Sequence, residues 1–209
     1  EIPAIGGKDS MSGTFKDINV PPTVVSFAVS TIKADKVLSP EFKVSGSKVV
    51  FLKLNKDSQE IPDFIQLKEN YSKIYNLVQS GKVLSAQSVK NGGIAAAISK
   101  MCFGNKVGFE FLGEISKEKL FLPDYGSIIL ELPEKEDPES LLEGLKFIVL
   151  GNTISDYKVN INGININLFN AQKSWEEPLE KIFPIKEEAS GIMKEVPLVS
   201  APKQNSKIK

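Results

Sequence analysis

Tyr157-Lys158-Val159-Asn160-Ile161-Asn162-Gly163-Ile164-Asn165-Ile166-Asn167 is the stretch that decides the fold class. Two short apolar-alternating runs flank an Asn-Gly pair, the residues that a tight two-residue hairpin turn needs. An antiparallel hairpin here favours a mixed sheet over a purely parallel, doubly wound one. Upstream, strands and helices interleave. Lys48 to Leu54 and the short run Val83 to Ala86 read as strands, as do Val107–Phe111, Ser127–Leu132 and Phe147–Leu150. Between them, Phe64, Leu67, Tyr71, Ile74 and Val78 recur at helical spacing. Pro62 stands in the first turn and Gly81 marks the stop. Asn91-Gly92-Gly93 opens a second helix with Ile94, Ala97, Ile98 and Met101 on one face, and Asp137-Pro138-Glu139 opens a third that runs through Leu145. A last short helix is expected from Trp175 to Phe183. The sum is an α+β fold, a mixed β-sheet packed with helices.

Composition bounds the chemistry. The chain has 209 residues, 41% hydrophobic and 25% charged, with 26 basic and 26 acidic side chains. A net charge of zero argues against a generic nucleic-acid or membrane-surface partner. Every basic residue is Lys, with no Arg and no His, so there is neither a bidentate guanidinium clamp nor an imidazole base. The single cysteine, Cys102, excludes an internal disulfide and any Cys/His metal site built from this chain alone. Its neighbours Met101 and Phe103 read as helix core. No apolar run approaches transmembrane length and no signal peptide is visible, so a cytoplasmic setting is expected.

The N-terminal segment carries the chemistry. Gly6-Gly7-Lys8-Asp9-Ser10-Met11-Ser12-Gly13 reads as a loop entered from Ile2-Pro3-Ala4-Ile5. Gly lets backbone N–H groups approach an anion, Lys adds a mobile point charge and Ser a hydroxyl. It is not a Walker loop, whose Gly-x-x-x-x-Gly-Lys-Ser/Thr spacing is missing. Val20-Pro21-Pro22 follows, and then Thr23 to Ser30, β-branched and apolar, read as a buried strand. A binding loop so near the start of a chain lacks the elements that would position it, and the chain is therefore expected to be a fragment of a larger protein. Residues 185–209 are polar, hold Pro197 and Pro202 and lack periodicity, so they read as a linker.

The run Pro3 to Ser12 followed by Val20-Pro21-Pro22-Thr23-Val24-Val25-Ser26-Phe27-Ala28 resembles phosphoribosylformylglycinamidine synthase, in its large multi-domain form. A second likeness lies at Asn91-Gly92-Gly93-Ile94-Ala95 through Met101 and at Phe103-Gly104-Asn105. The resemblance is strong over residues 2–30 and holds in outline over 45–183. It implies that residues 1–30 end a nucleotide- and substrate-handling domain and that 31–184 form an AIR-synthetase-like C-terminal domain, a layered α/β sandwich. Residues 185–209 would lead toward a glutaminase domain outside the fragment. It further implies a ligase of purine biosynthesis that converts formylglycinamide ribonucleotide, ATP and glutamine to formylglycinamidine ribonucleotide, ADP, phosphate and glutamate. ATP and Mg²⁺ are then the cofactors. Glutamine-derived ammonia and neighbouring domains of the same chain are the partners.

By that resemblance Gly6, Gly7 and Lys8 would lie on ATP and Ser10 on the substrate. Lys8 stands where the family has a metal-liganding Asn, so no metal is transferred to it, and no catalytic residue is assigned within the fragment. At the second motif the family shows His-Asp-x-Ser-Asp-Gly-Gly, but this chain has Gln87-Ser88-Val89-Lys90-Asn91-Gly92-Gly93. A carboxylate is gone and Lys90 stands in a hydroxyl's place. Ser88, Lys90, Gly92 and Gly93 therefore mark a degenerate auxiliary nucleotide site.

Plainer readings stand beside these. Lys90 suits a solvated turn and Asn91-Gly92-Gly93 a helix start. Trp175, Phe169 and Phe183 suit core packing, Glu134 and Glu136 a solvated face, and Asp124-Tyr125-Gly126 a turn. The alternative function is a non-catalytic scaffold domain of the same enzyme.

Overall fold

The computed structural model describes residues 2–10 and 13–184, so the segment read as a linker lies outside the described residues. The chain divides into two units, 1–172 and 173–209. The first holds a seven-stranded mixed sheet and two small ribbons.

The sheet strands are β5 (Lys48–Leu52), β6 (Ser85–Ser88), β7 (Gly108–Phe111), β8 (Ile128–Leu132), β9 (Ile148–Ile154), β10 (Lys158–Ile161) and β11 (Ile164–Asn167). In space they run β11-β10-β7-β9-β5-β8-β6. All neighbours pair antiparallel except β10 and β7, which are parallel. The Asn-Gly hairpin forms as expected. Asn162 and Gly163 have φ of 49° and 77°, the left-handed pair of a type I′ turn.

Strand alternation splits the core into two layers. Val49 and Phe51 of β5 pack with Ile129, Phe109 and Leu150 under α2 (Gly93–Phe103), whose Ile94, Ala97, Ile98, Met101 and Cys102 are buried. Val50 and Leu52 point the other way, with Leu130 and Leu132, under Ile74 and Leu77 of α1 (Phe64–Gln79) and under Leu142. The result is helix, sheet, helix, the α+β layering expected. Burial pushes the Cys102 thiol pKa up, as a structural core cysteine requires.

The buried carboxylate of Glu131 fastens the loop before β5. It accepts from Lys43 N at 3.1 and 3.0 Å, from Val44 N at 3.4 Å and from Ser85 Oγ at 2.7 Å. Several donors on one buried carboxyl group meet the rule that a buried polar group must be hydrogen-bonded.

Several expectations are corrected. Residues 6–10 are not a loop: they belong to β1 (Ala4–Ser10), which pairs antiparallel with β4 (Thr23–Ala28) from Gly6 opposite Phe27 to Ser10 opposite Thr23. A β-carbon on Gly7 would stand 3.2 Å from Val25 O, so the close approach its glycine allows is to the paired strand. A second ribbon joins β2 (Gly13–Phe15) to β3 (Ile18–Val20). The strand at 23–30 is not buried. Every residue of β4 is exposed, Val24 by 87% and Phe27 by 51%.

Helix boundaries also move. Pro62 precedes α1, whose N-cap is Asp63; Asp63 Oδ1 accepts from Ile65 N and Gln66 N. The third helix, α4, covers only Pro138–Leu141, and the chain past it includes Gly144 at φ 84°. A further short helix, α3 (Lys117–Phe121), carries too few residues to show a period. The last helix, α5 (Leu168–Glu180), starts earlier than expected and contains Pro178. Phe169, Trp175 and Phe183 are exposed rather than core, and Phe169 meets Tyr157 edge-on. Glu136 is held by Lys82 Nζ at 2.5 Å rather than left to solvent.

In the second unit the described residues are 173–184. Ile182 N and Phe183 N close a turn on Leu179 O at 2.9 and 2.8 Å.

Candidate functional site

The sequence-flagged residues fall in two separate places, the β1–β4 ribbon and the turn from β6 into α2. Gly6, Gly7 and Lys8 are exposed on β1, and Gly6 and Lys8 share one face by strand alternation. Ser10 ends that strand opposite Thr23. Ser88 ends β6 of the large sheet, Lys90 is exposed in the turn after it, and Gly92 and Gly93 start α2.

Gly92 and Gly93 have a packing role. Both take left-handed backbone, φ 86° and 62°, which costs glycine little. A β-carbon on Gly93 would meet Leu120 O at 2.5 Å and Phe121 C at 2.6 Å, so the end of α3 seats directly on this turn. One on Gly92 would meet Ala96 Cβ at 2.7 Å. The Asn91 side chain is engaged too, because Tyr125 OH donates to its Oδ1 at 2.6 Å. Gln87 Nε2 donates to the Ser88 carbonyl at 3.1 Å. This is a helix start held by packing and side-chain hydrogen bonds. Nearby, Tyr71 OH donates to Gly126 O at 3.4 Å, and desolvation raises the phenol's pKa.

Sequence reasoning missed a cleft at one end of the large sheet. A cavity of about 330 Å³ lies among Phe51 and Lys53 at the end of β5, Phe111 at the end of β7, Leu150 of β9, Ile94 of α2 and Lys119 of α3. It shares Lys53, Leu122 and Asp124 with a smaller, more polar hollow of about 230 Å³ that reaches Lys56, Asp57 and Glu60. There Lys56 Nζ lies 3.6 Å from Asp124 Oδ1 and 3.4 Å from Glu60 Oε2. Asp57 Oδ1 accepts from Gln59 N and Ile61 N and shapes the loop. No motif announces this cleft, because its residues come from five elements that only the topology brings together.

Among the described residues no group of three or more His, Cys, Asp or Glu side chains could hold a metal ion. Nor, among them, is any helix long and apolar enough to cross a membrane.

No family model matches the chain. Curated relatives do. Phosphoribosylformylglycinamidine synthase subunit PurL of Methanococcus aeolicus is 25% identical over 87% of this chain and 29% of that protein. The PurL subunit of Picrophilus torridus is 34% identical over 52% of this chain and 15% of its own length. Among solved structures, Thermotoga maritima PurL complexed with FGAR aligns with a TM-score of 0.58 at 16% identity, over 73% of this chain and 32% of that one. At that identity the structural likeness establishes the fold, and the same T. maritima protein has also been seen complexed with ATP. The chain thus spans less than a third of the length of the curated PurL relatives it matches. It is related in sequence and in fold to phosphoribosylformylglycinamidine synthase subunit PurL.

Proposed function

We propose that the chain is part of an ATP-dependent carbon–nitrogen ligase that converts formylglycinamide ribonucleotide, ATP and glutamine to formylglycinamidine ribonucleotide, ADP, phosphate and glutamate, in the cytoplasm. The observation that carries the reading is the PurL likeness across 87% of the chain.

In this reaction the amide oxygen is activated by phosphoryl transfer and then displaced by ammonia from glutamine. Such chemistry rests on placing phosphates and stabilising charge that spreads in the transition state. In our reading residues 1–30 contribute to that site and 31–184 form the supporting domain, with 185–209 leading toward a glutaminase domain. Gly6, Gly7 and Lys8 lie along ATP, with Gly6 leaving the face of β1 that it shares with Lys8 free of a side chain, Lys8 brings an ammonium to the phosphates, and the Ser10 hydroxyl meets the substrate. The exposed β1 fits a nucleotide that other parts of the ligase also hold. Mg²⁺ fits the described residues poorly, since no cluster of carboxylates among them is there to ligate it.

The second motif supports a narrower reading of its own. Gly92 and Gly93 are consumed by packing on α3, and Asn91 by Tyr125. We read Ser88, Lys90, Gly92 and Gly93 as an auxiliary nucleotide site that has become structural.

The test is an assay with ATP, formylglycinamide ribonucleotide and ammonia. We expect turnover by the ligase that contains this segment and none by the 209-residue chain alone. Turnover by the chain alone would contradict the division of labour, and a containing protein inert toward these substrates would overturn the function.

A further inference from the structure

We propose that the cavity at the end of the large sheet binds a small organic monoanion with an apolar body, of the aryl-carboxylate type. At about 330 Å³ it lies in the size range of small-molecule sites. Its wall is apolar where Phe51, Ile94, Phe111 and Leu150 meet. Two lysines line the same space, Lys53 of the segment after β5 and Lys119 of α3. Among the described residues neither ammonium has a hydrogen bond or an ion pair.

An unpaired surface lysine is ordinary. Two that line one largely apolar cavity are not, because an anion whose body fills the cavity meets both charges at its rim.

The remaining charges set the ligand's valence. Asp124 lines the cavity but is balanced by Lys56 at 3.6 Å. Glu114 lines it and has no ion pair among the described residues. Two free cations against one free carboxylate favour a ligand of single negative charge and disfavour a polyphosphate. Ser116, also on the wall, has its hydroxyl turned to capping α3, accepting from Lys119 N at 3.4 Å. Recognition therefore rests on the two lysines and the apolar wall. This site is separate from the nucleotide reading of β1 and stands or falls without it.

The experiment is an NMR titration of the ¹⁵N-labelled chain with 1-naphthoate. We expect saturable amide shifts centred on Phe51, Ile94, Phe111 and Leu150. The double variant Lys53→Ala/Lys119→Ala should bind about tenfold more weakly, as loss of a charge-assisted contact predicts. Both lysines are exposed, so the variant keeps its fold, which its own spectrum verifies. The neutral analogue 1-naphthylmethanol should lose affinity by a similar factor, and Glu114→Gln should tighten naphthoate. Absent or scattered shifts, equal binding of the neutral analogue, or an unaffected double variant would overturn the proposal. So would displacement of naphthoate by ADP at equal concentration, which would make the cavity a nucleotide site.

Discussion

Val24-Val25-Ser26-Phe27 and Val49-Val50-Phe51-Leu52 are nearly the same kind of sequence and meet opposite fates. In β5, Val49, Val50 and Leu52 are wholly buried because layers of side chains cover both faces of the sheet. In β4 the whole strand is exposed, and its regular partner is β1. β-propensity fixes that both segments are extended. It does not fix what covers them. The ribbon is a surface built from core-type residues, which is what an interaction surface looks like. The large sheet is a scaffold whose energy is internal.

If that contrast holds, damage to the sheet should cost stability and damage to the ribbon should cost function. The harshest case is Gly108→Ala. A β-carbon there would run into the Asp156 and Lys158 carbonyls, with no flexible side chain to yield. We expect loss of the cooperative thermal transition; a Tm within a few degrees of the parent chain would show that β7 and β10 tolerate a wider gap.

Ile98→Ala empties part of the fully buried face of α2 and should lower stability by about 2–5 kcal/mol in urea unfolding. A cost below about 1 kcal/mol would mean that the first core layer is loosely packed.

Lys8→Ala tests the ribbon. In the whole ligase it should reduce turnover by about 10²–10³, in the way loss of one preorganised donor does, with unfolding unchanged. Ser10→Ala should follow in the same direction. Wild-type kinetics for Lys8→Ala would remove the phosphate reading of β1 and leave the scaffold alternative.

Asp63→Ala removes the two hydrogen bonds at the start of α1 and should cost about 1 kcal/mol. Smallest of all, Val24→Ser in the chain as it stands should change stability by no more than about 0.5 kcal/mol, because Val24 is 87% exposed. A larger loss would show the ribbon to be held by the sheet after all.

Much was legible along the chain. The periodicity of Phe64 to Val78, the Asn162-Gly163 turn and the buried stripe of Ile94, Ala97, Ile98 and Met101 are local signals, and each produced its element. Where local signals stop, the chain gives no sign of its elements. The short α3 has too few residues to show a period, and α4 ended before its apolar pattern did. Residues 6–10 have a loop's Gly-rich composition, yet a partner strand in register makes them β. The cleft with Lys53, Lys119 and Asp124 carried no signal at all, since its residues lie as far apart as 51 and 150.

By itself, then, the sequence determined the α+β class, the core face of α2, the absence of Arg, His and disulfide chemistry, and the resemblance to phosphoribosylformylglycinamidine synthase. Each follows from composition, from spacing within one element, or from a contiguous motif. Only the tertiary structure decided that β4 is exposed while β5 is buried, that Gly92-Gly93 is consumed by α3, and that two unpaired lysines share one apolar cavity. Burial and convergence depend on which distant segments lie in the next layer, a property of topology that no window of the chain contains.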